Sequence, residues 1–288
     1  MSDSSDNEFQ QALGRAARIP EVATIPGDLS AGMVLCDRFA IERKLGQGGS
    51  GRVYGAFDRR KECSVALKTL GSYGPDALVQ IRREFRAAAE LVHPNLVRLH
   101  ELFSEGPVSF FTMDLVRGAP LAALIEAGLG PDALPDVFRQ LAAGLHELHA
   151  AGTLHGDIKP SNFLVSPDGH VVLLDFGLSR PLGIHSLAHV RAGTPEYMAP
   201  EQTLGEPLTE AADWYAFGLV LHEALAQCEL ALGRPSPPSS GLLQDLSELS
   251  IELLQDDPAA RPSGDEVLRR IGARSPALLS PRPSAPPP

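Results

Sequence analysis

The string His155-Gly156-Asp157-Ile158-Lys159-Pro160-Ser161-Asn162 constrains this chain more than any other feature. An apolar strand, Val171-Val172-Leu173-Leu174, comes after it and leads into Asp175-Phe176-Gly177. Asp157 can accept the proton of an attacking hydroxyl, and Lys159 can neutralise a phosphate in flight. Asn162 and Asp175 can hold Mg²⁺ between phosphates. A lone His-x-Asp tripeptide would say little. The ordered set has the spacing that phosphoryl transfer from ATP requires.

The upstream sequence supplies the rest of such a site in order. Gly46-Gln47-Gly48-Gly49-Ser50-Gly51-Arg52-Val53 reads as G-x-G-x-x-G-x-V between extended apolar segments. Glycines allow a tight hairpin whose backbone lies close over phosphates. Alone, this motif is equally an ordinary glycine-rich turn. Val65-Ala66-Leu67-Lys68 then forms a short strand ending in a Lys, at the distance of two strands from the glycine loop. A helical stretch over about residues 75–91 carries Glu84 among Arg82, Arg83 and Arg86. Ordinary surface charge pairing would explain these residues. The functional reading pairs Glu84 with Lys68 and so aims the Lys at the α- and β-phosphates. The turn at His93-Pro94-Asn95 fixes the register and favours Glu84 over Glu90.

On these motifs the chain resembles the eukaryotic-type Ser/Thr protein kinases, over residues 38–272. More narrowly, it is similar to bacterial kinase domains that precede an ATPase and helical-repeat region. The narrower likeness rests on Glu84-Phe85-Arg86, His93-Pro94-Asn95-Leu96-Val97, Phe110-Phe111-Thr112-Met113-Asp114-Leu115-Val116, the strand into Asp175-Phe176-Gly177, and Asp213-Trp214-Tyr215. The resemblance implies ATP and Mg²⁺ as cofactors and a protein as substrate, the activity of a non-specific serine/threonine protein kinase. It makes Asp157, Lys159, Lys68 and Glu84 the catalytic group and Asn162 and Asp175 the metal ligands. Gly46, Gln47, Gly48, Gly49, Ser50 and Gly51 would cover the phosphates. Met113 would be the gatekeeper, Asp114 and Val116 the hinge groups, and Val53, Ala66 and Leu164 the apolar faces around adenine. Taken singly, each of these apolar residues is also ordinary core. The likeness further implies an ion pair between Glu201 of Ala199-Pro200-Glu201 and Arg261, and a bracing role for Asp213 under the catalytic loop. Lys159 and Gly193-Thr194-Pro195-Glu196-Tyr197 resemble Ser/Thr rather than Tyr kinases.

Two departures stand out. Gly156 occupies the place where most kinases carry an Arg that docks a phosphate of the activation loop. Residues 178–192 offer only Ser179 and Ser186 as acceptors, so activity is expected not to depend on loop phosphorylation. The segment from 213 to 261 is also short. Residues 229–243 are expected to lack the usual helical insert; either this leaves an apolar patch, lined by the 214–226 helix, Leu242, Leu243 and Leu246, for a regulatory partner or a second copy, or the shortened loop folds over the gap.

The expected fold class is α+β, with the two lobes of a protein kinase and a shortened C-lobe. An antiparallel sheet over 38–70 and 97–116, with one helix at 75–91, forms the N-lobe (38–116). A helical C-lobe (117–272) contains a buried helix at 214–226, apolar almost all round, and a cleft is expected at the hinge 114–118. His146 and His149 read as surface or helix-end residues. Residues 1–30 and the Pro-rich 274–288 read as disordered tails. The 288 residues, 43% hydrophobic, suit one such domain, and a net charge of -11 argues against nucleic-acid binding. Cys36, Cys63 and Cys228 lack disulfide or metal spacing, which suggests a cytoplasmic protein. No apolar run nears the ~20 residues a membrane span needs, and no secretory leader is expected. A kinase-like nucleotide-binding scaffold with weak or no catalysis is the alternative.

Overall fold

The structure, a computed structural model, describes residues 28–48, 51–70, 75–105, 108–176, 180–181, 194–231 and 241–272. The chain divides into two compact units. One holds residues up to 92 and 98–116; the other holds 93–97 and everything from 117.

The first unit is a six-stranded antiparallel sheet. Its strands are β1 (Val34–Leu35), β2 (Phe39–Gly48), β3 (Gly51–Asp58), β4 (Cys63–Leu70), β5 (Leu99–Glu105) and β6 (Val108–Asp114), in the order β1-β2-β3-β4-β6-β5. Side chains alternate between faces along a strand, so register decides what shares a face. Val53 pairs with Lys68, Gly55 with Ala66, Ala66 with Met113, and Lys68 with Phe111. These residues therefore share one face. The opposite phase sends Tyr54, Ala56, Val65 and Leu67 into a core with Leu35, Phe39, Ile41 and Phe110. Phe39, Phe103 and Phe110 meet ring to ring at 5.0–5.8 Å. Each such contact adds about 0.5–1.5 kcal/mol beyond area burial. The one helix of this unit, α1 (Pro75–Ala89), buries Ile81, Phe85 and Ala88 at helical spacing.

The second unit is mainly helical. Short strands β7 (Ala119–Pro120), β8 (Thr153–Leu154), β9 (Phe163–Val165), β10 (Val171–Leu173) and β11 (Arg180–Pro181) accompany α2 (Leu121–Glu126), α3 (Leu134–Ala150), α4 (Pro200–Leu204), α5 (Glu210–Ala231), α6 (Gly241–Leu253) and α7 (Gly264–Gly272). Helix α5 is the buried centre, with Trp214, Phe217, Val220 and Leu221 at or below 1% exposure. It starts earlier and ends later than the 214–226 read from the sequence.

Of the residues expected to line an apolar patch, Leu246 is buried, whereas Leu242 and Leu243 are half-buried; Leu230 on α5 stays exposed. Helix α5 runs on through residues 229–231, and α6 begins at Gly241 and packs on it. Leu249 and Leu253 are buried. The two helices approach so closely that a Cβ at Gly218 would lie 2.6 Å from that of Leu253. Residues 232–240 lie outside the described residues, as do the Pro-rich end and residues 1–27. Residues 28–30, which composition assigns to a tail, hydrogen-bond to the sheet instead.

A buried polar network attaches the His93-Pro94-Asn95 turn to the second unit. Asn95 Nδ2 donates to Gln140 Oε1 (3.1 Å) and to Val171 O (2.7 Å), while Val171 N donates to Gln140 Oε1 (2.9 Å). Asn95 O accepts from Leu173 N, and Leu173 O from Val97 N.

The Glu201–Arg261 ion pair forms as expected. Its two contacts measure 2.6 and 2.8 Å, and both residues are buried. Arg261 also donates to Ala211 O and Gln255 O and lies over the Tyr215 ring at 4.9 Å. Removing one partner strands the other charge in the interior, so Arg261→Ala should cost about 3–5 kcal/mol in chemical denaturation. A loss below about 1 kcal/mol would show that Glu201 reaches another partner.

Candidate active site

In the first unit, β2 and β3 form the glycine-rich hairpin. A Cβ on Gly46 or Gly48 would meet nothing within 4 Å, so that backbone has an open side. Gly51 is different: its φ is +135°, and a Cβ would fall 2.1 Å from Thr69 O. Only glycine fits there. Thr69 also bonds both ways to the Arg52 backbone at 3.2 Å. Gly49 and Ser50 lie outside the described residues.

Lys68 is 4% exposed, on the same sheet face as Val53, Ala66 and Met113. Phe111, directly opposite Lys68, touches the Phe85 ring at 5.6 Å. Helix α1 therefore sits on the face that carries Lys68, and it brings Glu84, half-buried beside Phe85, to that side. Glu90 is exposed. Ala66 and Met113 are buried, Val53 and Val116 half-buried, and Asp114 exposed and 2.9 Å from His100.

In the second unit, the catalytic-type loop is held from beneath by Asp213 on α5. Its Oδ2 accepts from His155 N (2.8 Å) and His149 Nε2 (2.9 Å), and its Oδ1 from Gly156 N (2.7 Å). Burial pushes the Asp213 carboxyl up, but His149 and these donors outweigh it and hold it below the usual carboxylate range. His149 does lie in the last turn of α3, but it is 3% exposed rather than on the surface, because its ring completes this network. Gly156 has φ +74°, a left-handed angle that costs an L side chain roughly 1–2 kcal/mol. Glycine at this position therefore relaxes the loop backbone.

His155 orients the residues on either side of the loop. Its Nδ1 accepts from Asp157 N (3.2 Å), which leaves Nε2–H to donate to Leu174 O (2.9 Å). Asn162 O accepts from Leu174 N at 2.8 Å. Both contacts grip the residue before Asp175, so Asn162 and Asp175 are brought together. Asn162 Nδ2 is committed to Asp157 O at 2.7 Å, leaving Oδ1 to coordinate. An amide oxygen and a carboxylate are hard donors that suit Mg²⁺. Asp175 itself has φ +67°.

Asp157 sits at the centre. Its Oδ1 accepts from Thr194 N and Thr194 Oγ1, both at 2.9 Å, and its Oδ2 from Lys159 Nζ at 2.7 Å. Lys159 Nζ also donates to Thr194 Oγ1 (2.7 Å). Burial raises the Asp157 carboxyl, but Lys159 and Thr194 together bring it below the ordinary carboxylate value. It is ionised at neutral pH. A crevice lined by Asp157, Ile158, Thr194, Tyr197, Asp213 and Ala216 lies between this loop and α5. Thr194 is absent from the site residues read from the sequence, although the Gly193-Thr194-Pro195 string pointed to it. Leu164, half-buried on β9, belongs to this unit. Ser179 and Ser186 lie outside the described residues.

A left-handed glycine, an Asp-Lys-Thr cluster braced by a buried Asp, and Asn162 thus meet at one loop. Residues 39–270 match the family model for the protein kinase domain, and the chain belongs to that family. It is similar to the serine/threonine-protein kinase PknA of Mycobacterium tuberculosis (strain ATCC 25618 / H37Rv), with 32% identity over 283 residues, covering 89% of this chain and 66% of that protein. It is 34% identical over 236 residues to the serine/threonine-protein kinase Pkn1 of Myxococcus xanthus, covering 74% and 34% respectively. PknL of Mycobacterium tuberculosis (strain CDC 1551 / Oshkosh), also named a serine/threonine-protein kinase, shares 37% over 199 residues, 67% of this chain and 50% of that one. The chain thus spans less than two thirds of the length of these relatives.

Proposed function

We propose that this chain transfers the γ-phosphate of ATP to Ser or Thr hydroxyls of protein substrates. The observation that carries this reading is the Asp157 carboxylate held ionised between Lys159 and Thr194. Asp157 would orient the incoming hydroxyl and take its proton, and Lys159 would balance charge on the phosphate as it moves. Mg²⁺, held by Asn162 and Asp175, would neutralise and orient the phosphates. Lys68, positioned by Glu84, would hold the α- and β-phosphates under the glycine hairpin, with adenine against Val53, Ala66 and Met113 and its edge on the backbone of Asp114 and Val116.

The strain-free Gly156 weighs against a catalytically idle scaffold. The Arg usually found there serves a loop phosphate, and its absence leaves Asp157, Asn162 and Asp213 fully engaged. We therefore take activity to be independent of phosphorylation in the activation loop. The kinase domain would occupy 38–272, with residues 28–35 bound to its sheet. Three free cysteines favour a cytoplasmic setting. Among the described residues, no helix is long and apolar enough to cross a membrane. The likeness to kinases that precede an ATPase and helical-repeat region rests on the motif strings alone. A regulatory partner or second copy would seat against the half-buried Leu242 and Leu243.

Incubation with Mg-ATP, with readout by intact mass and by transfer to a protein substrate, tests the reading. Asp157→Ala should lose about 10²–10⁴ in rate. Asp175→Asn, which tolerates the left-handed backbone better than Ala, should lose the metal-dependent turnover while keeping the unfolding midpoint. An Asp157→Ala protein as fast as the parent would overturn the assignment.

Ser179→Ala and Ser186→Ala should each retain activity within a few-fold of the parent. A large loss in either, rescued by Asp, would restore loop phosphorylation as the control.

A further inference from the structure

Residues 28–35 precede the matched kinase domain, yet they are bound to its glycine-rich hairpin. Strand β1 pairs with the start of β2 (Val34 with Ala40, Leu35 with Phe39), and Gly32 N donates to Ile41 O at 2.8 Å. Leu29 packs against the core of the sheet, and its N–H donates to Tyr54 Oη at 3.2 Å. These contacts fix the position of Asp28. Its carboxylate then meets both strands of the hairpin. Lys44 Nζ on β2 lies 3.2 Å from each of its oxygens, Arg52 Nε on β3 lies 3.0 Å from Oδ1, and Tyr54 Oη lies 3.4 Å from Oδ1.

Lys44 carries the contact onward. The same Nζ donates to Gln47 Oε1 at 2.7 Å, and Gln47 stands between Gly46 and Gly48. Arg52 directly succeeds Gly51, whose backbone is wedged against Thr69. One carboxylate therefore ties down the residues at either end of the glycine turn. A glycine-rich hairpin is intrinsically loose, because glycine loses more freedom on ordering than any other residue. A brace that restricts the turn before nucleotide arrives lowers the ordering cost of binding. The Lys44 bond holds the Asp28 carboxyl below the usual carboxylate range, so the brace is charged throughout the neutral range.

We propose that Asp28 is a positioning residue for nucleotide binding, and that residues 28–35 form a strap that pre-orders the glycine-rich hairpin through Lys44 and Arg52. The proposal rests on the reading of that hairpin as the ATP phosphate clamp. Asp28 is 56% exposed on its side chain, so its contacts are of the exposed kind and their effect is modest.

Mg-ATP binding by calorimetry and steady-state kinetics on the full chain test it. Asp28→Asn and Asp28→Ala should weaken Mg-ATP binding and raise KM for ATP by about 2- to 5-fold, the range that exposed ion pairs support. They should leave kcat and the unfolding midpoint in place, and Asp28→Glu should recover most of the affinity. The gap between parent and variant should narrow in high salt. A cycle of Asp28→Ala, Lys44→Ala and the double variant should show coupling in ATP affinity, which separates positioning from a general loss of stability. Unchanged affinity in Asp28→Asn, an additive cycle, or a fall in kcat with KM constant would overturn the strap. A parent protein that fails to bind Mg-ATP would instead overturn the functional reading, and the strap with it.

Discussion

Asp213 is the interaction on which the site depends. It is 2% exposed, and its two oxygens accept from His149, His155 and Gly156. An isolated buried carboxylate would neutralise itself rather than persist. Here three donors hold it charged, and the charge in turn fixes the loop backbone. Gly156 can then adopt its left-handed angle, His155 can bridge Asp157 N to Leu174 O, and Asp157 can meet Lys159 and Thr194. Take away the carboxylate, and two backbone N–H groups lose their partner beneath the loop.

A second buried charge steadies the other side of the same loop. Arg261 and Glu201 anchor α4, whose Gln202 donates to Gly156 O at 3.4 Å. Thr194 precedes this helix by a short 3₁₀ turn, Pro195–Tyr197. Tyr197 in that turn donates to Glu223 on α5 at 2.9 Å, and burial with this carboxylate pushes its hydroxyl up to about 12. The segment that presents Thr194 to Asp157 is thus tied to α5 as well. One central helix carries both the clamp under the loop and the tether of the Thr194 segment.

The loop cluster was legible in the sequence because its residue types recur at short spacing: Asp157, Lys159, Asn162 and Asp175 lie within twenty residues. Which residues share the Lys68 face came only with the register of β3, β4 and β6. The features that stayed hidden act over long separations or through backbone angle. Asn95 meets Gln140 and Val171 across 45 and 76 residues, and a lone Asn carries no sign of such partners. Gly156 read as a lost phosphate receiver, since nothing in a string reveals a φ of +74°. Asp28 read as tail because charged, aperiodic composition ordinarily means solvated chain. His149 read as exposed because an amphipathic pattern assigns polarity to solvent, whereas a buried Asp offered it a partner. The end of α5 was misplaced because Glu229 interrupts the apolar run before the helix ends.

Replacing Asp213 with Asn tests the central claim most directly. The side chain keeps its shape, but one acceptor becomes an NH₂ facing N–H groups that already point inward. Phosphate transfer from Mg-ATP, measured beside thermal unfolding, should fall by about 10²-fold or more, the scale expected when reacting groups are displaced by ~1 Å. The protein should remain folded with a lowered midpoint. An Asp213→Asn protein that transfers phosphate at the parental rate would contradict the account.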